Sequence, residues 1–199
     1  MEKNKVEERV NGEKEEIHAK KGFTIFGISI WRILAYFIIY SIAGYIIETV
    51  FGLLTKGVIE SRKSFLYGPF CAIYGVGAVI MIVSLQYFKK NNYTLFFGGF
   101  VVGSIVEYLV SLIGEFIFHV KWWDYSERFL NINGRISIFH AFAWGFIAIL
   151  FINHLYPFIK KHVNLILAKI PHKIQVTAIS TVLVVFIADT VLSCIRYII

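Results

Sequence analysis

Long apolar stretches dominate this chain, and the few polar positions inside them recur at helical spacing. Five stretches read as membrane-spanning helices, near 31–54, 69–88, 95–118, 136–157 and 174–197. About 20 helical residues suffice to cross a hydrocarbon core of roughly 30 Å. Within the first, Ser41, Gly44, Glu48, Gly52 and Thr55 follow one another at three- or four-residue steps; within the third, Gly99, Gly103, Glu107, Ser111 and Glu115 do the same. Helices in lipid approach closely through small residues, because no hydrophobic drive separates helix from tail. Ser41, Gly44, Gly99, Gly103 and Ser111 are therefore predicted helix-packing positions. Glu48 and Glu107 share those stripes and are expected to meet in one protein-lined interior, since a carboxyl group at bilayer depth costs about 2.5 to 3.5 kcal/mol. Asp189 in the fifth stretch belongs to the same class.

The pattern predicts an all-α polytopic integral membrane bundle of about five transmembrane helices. Residues 1–30 divide from it as a charged tail alternating Lys and Glu, followed by an apolar interfacial segment with Trp31 and Arg32 at its end; residues 31–199 form the transmembrane domain. The second span is expected to open at Gly68-Pro69, where proline suits a first helical turn. Glu48 and Glu107 occupy comparable places in spans one and three, as a parallel repeat would place them, but no longer internal repeat stands out.

Composition sharpens this. Of 199 residues, 57% are hydrophobic and 17% charged, which excludes an ordinary soluble domain. The net charge of +7 lies in the tail and short loops, so it reports topology and not a nucleic-acid face. With the N-terminus inside, 13 basic residues are cytoplasmic and 7 are not, the positive-inside orientation. The expected location is a cell membrane crossed several times, with the N-terminus cytoplasmic and segments 55–68 and 119–135 together on the outer side. Segment 158–173, with Lys160, Lys161 and His162, is then a cytoplasmic loop. Cys71 and Cys194 read as packing residues. The scattered His119, His140, His154, His162 and His172 define no metal site, and no cofactor is expected.

Four motifs occur in order: Tyr40-Ser41 to Gly44-Tyr45-Ile46-Ile47-Glu48; Ser64-Phe65-Leu66-Tyr67-Gly68-Pro69-Phe70-Cys71-Ala72-Ile73-Tyr74-Gly75; Trp122-Trp123-Asp124-Tyr125-Ser126; and Asn131-Ile132-Asn133-Gly134-Arg135-Ile136. Over about residues 33–150 the chain resembles the bacterial type IV ABC-transporter permease family (CmpB-like integral membrane proteins). The resemblance implies a permease-like subunit. The chain has no Gly-x-x-x-x-Gly-Lys-Ser/Thr phosphate loop, so a permease of this kind requires a separate ATPase subunit.

The residues themselves leave several readings open. Glu48 and Glu107 suit hydrogen-bonded packing, a cation or proton site, or general acid/base chemistry, since burial favours the neutral carboxyl in each case. Asp124 is expected to pair with Arg135, or with Arg62 across the loops, to fix an external cap. Alternatively Trp123 and Tyr125 rim a polar ligand site, with Arg62 and Arg135 suited to an anionic group such as phosphate or carboxylate. The candidate substrate-binding set is Glu48, Glu107, Arg62, Trp123, Asp124, Tyr125, Asn131 and Arg135. A transport-related role leads. Behind it stand a membrane-embedded enzyme acting on a lipid or lipid-linked substrate through Glu48, Glu107 and Asp124, and a non-catalytic regulatory or assembly subunit. Expected partners are the lipid bilayer and the ATPase subunit, with a homo-oligomer left open and no nucleic acid.

Overall fold

A computed structural model of the chain describes residues 23–57, 66–89 and 91–198. The tail before Phe23 and most of the first motif loop, including Arg62, lie outside the described residues. In chain order the elements are a hairpin of β1 (Thr24–Ile25) and β2 (Ile28–Ser29), then α1 (Ile30–Lys56), α2 (Ala72–Leu85) with a 3-10 turn at Gln86–Phe88, and α3 (Asn92–Phe118). A second hairpin, β3 (Asn131–Ile132) and β4 (Ile136–Ser137), precedes α4 (Ile138–Leu150). A π turn at Phe151–Leu155 carries α4 into α5 (Tyr156–Leu167), and α6 (His172–Ile198) completes the chain. The fold is an all-α bundle. Among the described residues, four helices are long and apolar enough to cross a bilayer: Ile30–Thr55, Asn92–Phe118, Ile138–Leu167 and His172–Arg196; the apolar helix Ala72–Phe88 is shorter.

The helices are packed inside out relative to a soluble protein. On α3 the buried face is Leu95, Gly99, Gly103, Glu107, Ser111 and Gly114, while Phe97, Ile105, Ile113 and Phe116 lie exposed. Small and polar side chains inside with large apolar ones outside is the arrangement that lipid rewards. Local chemistry sets the ends. The Asn91 side chain accepts from the Tyr93 N–H at 2.8 Å and caps the start of α3. Gly57, at φ 70°, and His119, at φ 53°, end α1 and α3 in the left-handed region and return an N–H to the Leu53 and Glu115 carbonyls.

Three expectations change. The interfacial segment before α1 is a hairpin whose two turn residues, Phe26 and Gly27, both have positive φ, as a tight two-residue β-turn requires. Pro69 does not open α2. Residues 66–71 are non-helical, and the helix starts at Ala72 after the Cys71 N–H donates to the Ser41 carbonyl at 2.8 Å. Since Ser41 lies near the middle of α1, α2 begins halfway along its neighbour. Finally, segment 158–173 is not a loop. The helix begun at Ile138 runs on to Leu167, because Tyr156, Ile159 and Leu167 pack against the core and Val163 is part of it.

Two antiparallel pairs, α1–α2 and α3–α4, join along α2 and α3, and the core forms there from Tyr36, Tyr40, Met81, Ile82, Leu85, Leu95, Phe151 and Ile152. This strict alternation brings the end of α1 at Lys56 and segment 119–137 to the same end of the bundle. α6 packs against α1 through Phe186, whose ring meets Phe37 at 5.0 Å and Phe70 at 5.5 Å.

The two pairs repeat each other. Gly44-Tyr45-Ile46-Ile47-Glu48 on α1 matches Gly103-Ser104-Ile105-Val106-Glu107 on α3, and Tyr74-Gly75 with Ala78 on α2 matches Trp144-Gly145 with Ala148 on α4. In space the correspondence holds: a Cβ on Gly44 would overlap the Tyr74 ring, and one on Gly103 would overlap Trp144. The glycine stripes therefore receive the next helix in sequence and not each other.

Candidate intramembrane polar site

Glu107 lies near the middle of α3 and is 8% exposed. Gly103, one turn earlier, leaves room for the Trp144 indole, whose Nε1–H donates to Glu107 Oε2 at 2.7 Å. From the other side the Tyr125 hydroxyl donates to Oε1 at 3.1 Å. Tyr125 reaches that depth because segment 119–137 folds back along α3. Its N–H is held by the Gly134 carbonyl at 2.8 Å, and its ring stacks on His140 at 3.8 Å between centroids. His140 Nδ1 shares a hydrogen bond with Ser137 Oγ at 2.8 Å. Carboxylate, phenol, imidazole and indole thus form one continuous cluster.

Above it sits a rim. Arg135 Nη1 pairs with Glu115 at 2.6 Å and donates to Ser111 Oγ at 3.3 Å, while its guanidinium lies 5.8 Å from the Tyr108 ring centre. Trp123 Nε1–H donates to the Arg135 carbonyl at 3.0 Å. Asn131 staples the turn, donating through Nδ2 to the Ser126 and Arg128 carbonyls and accepting from the Gly134 N–H. Gly134, at φ +66°, leaves no room for a side chain beside Asp124 and Ser126.

The expected pairing of Asp124 with Arg135 does not form. Asp124 Oδ1 accepts from the Ser126 N–H at 2.9 Å, from the Ser126 hydroxyl at 2.6 Å and from Lys121 Nζ at 2.9 Å. Those bonds, Ser126 foremost, lower its carboxyl to about 2. The reason is local: an aspartate two residues before a serine caps its own turn, while the hairpin directs Arg135 back toward α3 and Glu115. Arg62, the other proposed partner, lies outside the described residues.

Glu48 has separate surroundings. Its Oε1 accepts from the Tyr74 hydroxyl at 2.6 Å. The expectation of one interior shared by Glu48 and Glu107 gives way to two seats, one in each helix pair. Sequence reasoning also missed two partners, Tyr74 and Trp144, which carried a usable signal in the repeated aromatic-glycine pair. It singled out Asp189 but not what Asp189 binds, because those partners are far away in sequence: Oδ1 accepts from the Tyr67 N–H and Oδ2 from the Gly68 N–H, each at 2.9 Å. Gly68 permits this, since a Cβ there would stand 2.9 Å from Oδ2. The carboxylate thereby satisfies two amides of the irregular backbone before α2, which lipid could not pair. Among the described residues no group of three or more His, Cys, Asp or Glu is placed to hold a metal ion.

A family model described as "Putative ABC-transporter type IV" matches residues 35–194, from within α1 to within α6. The chain belongs to this family. No curated protein and no solved structure shows significant similarity to it. Membership makes the chain an ABC-transporter-related, multi-pass membrane protein whose surroundings are a lipid bilayer and whose family points to an ATPase partner.

Proposed function

We propose that the chain is the permease-like membrane subunit of such a transporter, working with a separate ATPase in a bacterial plasma membrane. The N-terminus and the α5 end face the cytoplasm in this reading, as the 13 to 7 distribution of basic residues favours. The Glu107 seat recognises a cation or a cationic group. The observation that carries this is a carboxylate buried at mid-helix and held by Tyr125 from a segment that folds in from the bundle end. A ligand entering from that end meets Arg135 and Trp123 first and Glu107 last. An enzyme using Glu48, Glu107 and Asp124 together is disfavoured, because each has its own partners: Tyr74, then Tyr125 with Trp144, then Lys121 with Ser126.

The test is affinity purification of the tagged full chain after mild crosslinking in cells, with native mass spectrometry of the product. Recovery of an ATPase subunit, together with a small-molecule adduct that disappears in Glu107→Gln, is expected. Absence of any ATPase after crosslinking would overturn the permease reading. An adduct unchanged in Glu107→Gln would remove Glu107 from recognition.

A further inference from the structure

One face of α1 carries Arg32, Tyr36, Tyr40, Gly44 and Glu48 at four-residue steps, a row about 24 Å long. Tyr36 and Tyr40 are 1% and 6% exposed, and the adjacent Ser41 is fully buried. The Tyr40 hydroxyl and Ser41 Oγ have no hydrogen-bond partner among the described residues. The Tyr36 hydroxyl approaches Tyr156 without a well-formed hydrogen bond, their rings edge to face at 5.6 Å. Apart from Tyr156, the core around them is apolar and includes Met81, Ile82, Phe151 and Ile152. Leaving one buried hydroxyl unpaired costs about 1 to 3 kcal/mol, and folded proteins meet that demand with ordered water. A row of such groups in one core points to a file of waters.

The surroundings agree. The π turn Phe151–Leu155 lies alongside, with the Phe151 ring 5.2 Å from that of Tyr40, and such turns recur at functional sites. At the far end the Tyr74 ring covers Gly44, between Tyr40 and Glu48, and its hydroxyl donates to Glu48 at 2.6 Å.

We propose that ordered water threads the hydroxyl row from Arg32 to Tyr74 and gives Glu48 a proton pathway. Each hydroxyl accepts a proton from the water before it and releases its own to the next. Tyr74 then passes its proton to Glu48 Oε1 and is reprotonated from the Tyr40 side. One proton moves and the carboxylate becomes neutral. No such row serves Glu107 from its own helix. On α3 the equivalent positions hold Leu95 and Gly99, without hydroxyls, and the equivalent of Tyr74 is Trp144, whose indole N–H only donates; the one hydroxyl on Glu107, that of Tyr125, comes from segment 119–137. The two seats of the repeat thus differ: the one on α1 adjoins a hydroxyl row along its own helix, the other does not. This inference does not rest on the transport reading.

The test uses the full chain in lipid nanodiscs. Radiolytic hydroxyl-radical labelling, which marks side chains beside internal water, is expected to modify Tyr40 while sparing Leu95, which is buried in the same core. Infrared spectroscopy then follows deuterium uptake of the Glu48 carboxyl band, assigned by its loss in Glu48→Gln. Tyr40→Phe and Ser41→Ala, which remove only an oxygen, should each slow that uptake about tenfold, the effect of about 1.4 kcal/mol on a barrier. An unlabelled Tyr40, the absence of an exchanging Glu48 band, or unchanged uptake in both variants would overturn the pathway. The ATPase and ligand measurements above are unaffected by either result.

Discussion

The α1–α2 and α3–α4 pairs place the same Gly-x-x-x-Glu run under the same aromatic-glycine pair, yet they complete the seat with different chemistry. In the second pair, Trp144 and Tyr125 both donate to Glu107 and bury it. In the first, Tyr74 donates to Glu48, and the nearby irregular segment is held instead by Asp189 of α6. A repeated backbone frame therefore fixes where a carboxylate sits, while single side chains decide which donors hold it. The hydrogen bonding of the two seats diverges on this frame without a change in helix packing.

The largest expected effect tests the frame. A Cβ at Gly99 would overlap the Ala148 methyl and stand 2.9 Å from the Trp144 carbonyl, and one at Gly75 would overlap Ser41 Oγ and stand 2.6 Å from the Phe37 carbonyl, so backbone is part of the obstacle in both pairs. Gly99→Leu and Gly75→Leu should each lose about 3 kcal/mol or more, read as detergent-resistant folded fraction and thermal midpoint. Tolerance in one pair only would show that its helices can part where those of the other cannot.

Next comes the difference between the seats. Glu107→Leu strands two donors and Glu48→Leu one, so the former should be the more destabilising by about 1 to 3 kcal/mol in unfolding measurements. Equal losses would show that Tyr125 or Trp144 finds another acceptor. Asp189→Asn offers an amide where two N–H groups need acceptors, and a loss of about 1 to 2 kcal/mol is expected. Hydrogen exchange should then rise at residues 66–71 and stay unchanged at 119–137; a rise in both would make α6 a support for the whole bundle. Gly77 is a counter-case, with nothing within 4 Å of its Cβ position. Gly77→Ala should stabilise α2 by about 0.5 to 1 kcal/mol, seen as a higher thermal midpoint.

The smallest effect concerns the turn in segment 119–137. Asp124 titrates at about 2 when folded, below its ordinary 3.8, so its stabilisation is complete above that ordinary value and fades as pH falls toward 2. Asp124→Asn should abolish this acid-side dependence in the exchange of the Ser126 amide. The group is solvent-exposed, so the change in overall stability should be slight.

Much of this was legible in the chain. The first, third and last spans, the small-residue stripes and the inward-facing Glu107 follow from periodicity and from the cost of polar groups in lipid. Errors arose where direction depends on a turn. Asp124 and Arg135 sit in one loop and suggest a pair, but the left-handed residues Asn133 and Gly134 send Arg135 to Glu115. The start of α2 was misplaced because Gly68-Pro69 resembles a helix opening, whereas the Tyr67 and Gly68 amides are taken by Asp189.

The sequence by itself determined the membrane environment, the helical class and the glycine-carboxylate runs, because these depend on hydropathy and on a fixed rise per residue. Tertiary structure alone decided that the stripes receive successive helices, that α2 starts halfway along α1, and that Asp189 binds backbone more than a hundred residues away. Those outcomes depend on which surfaces meet, and a hydrogen bond of 2.9 Å between distant residues leaves no period in the chain to read.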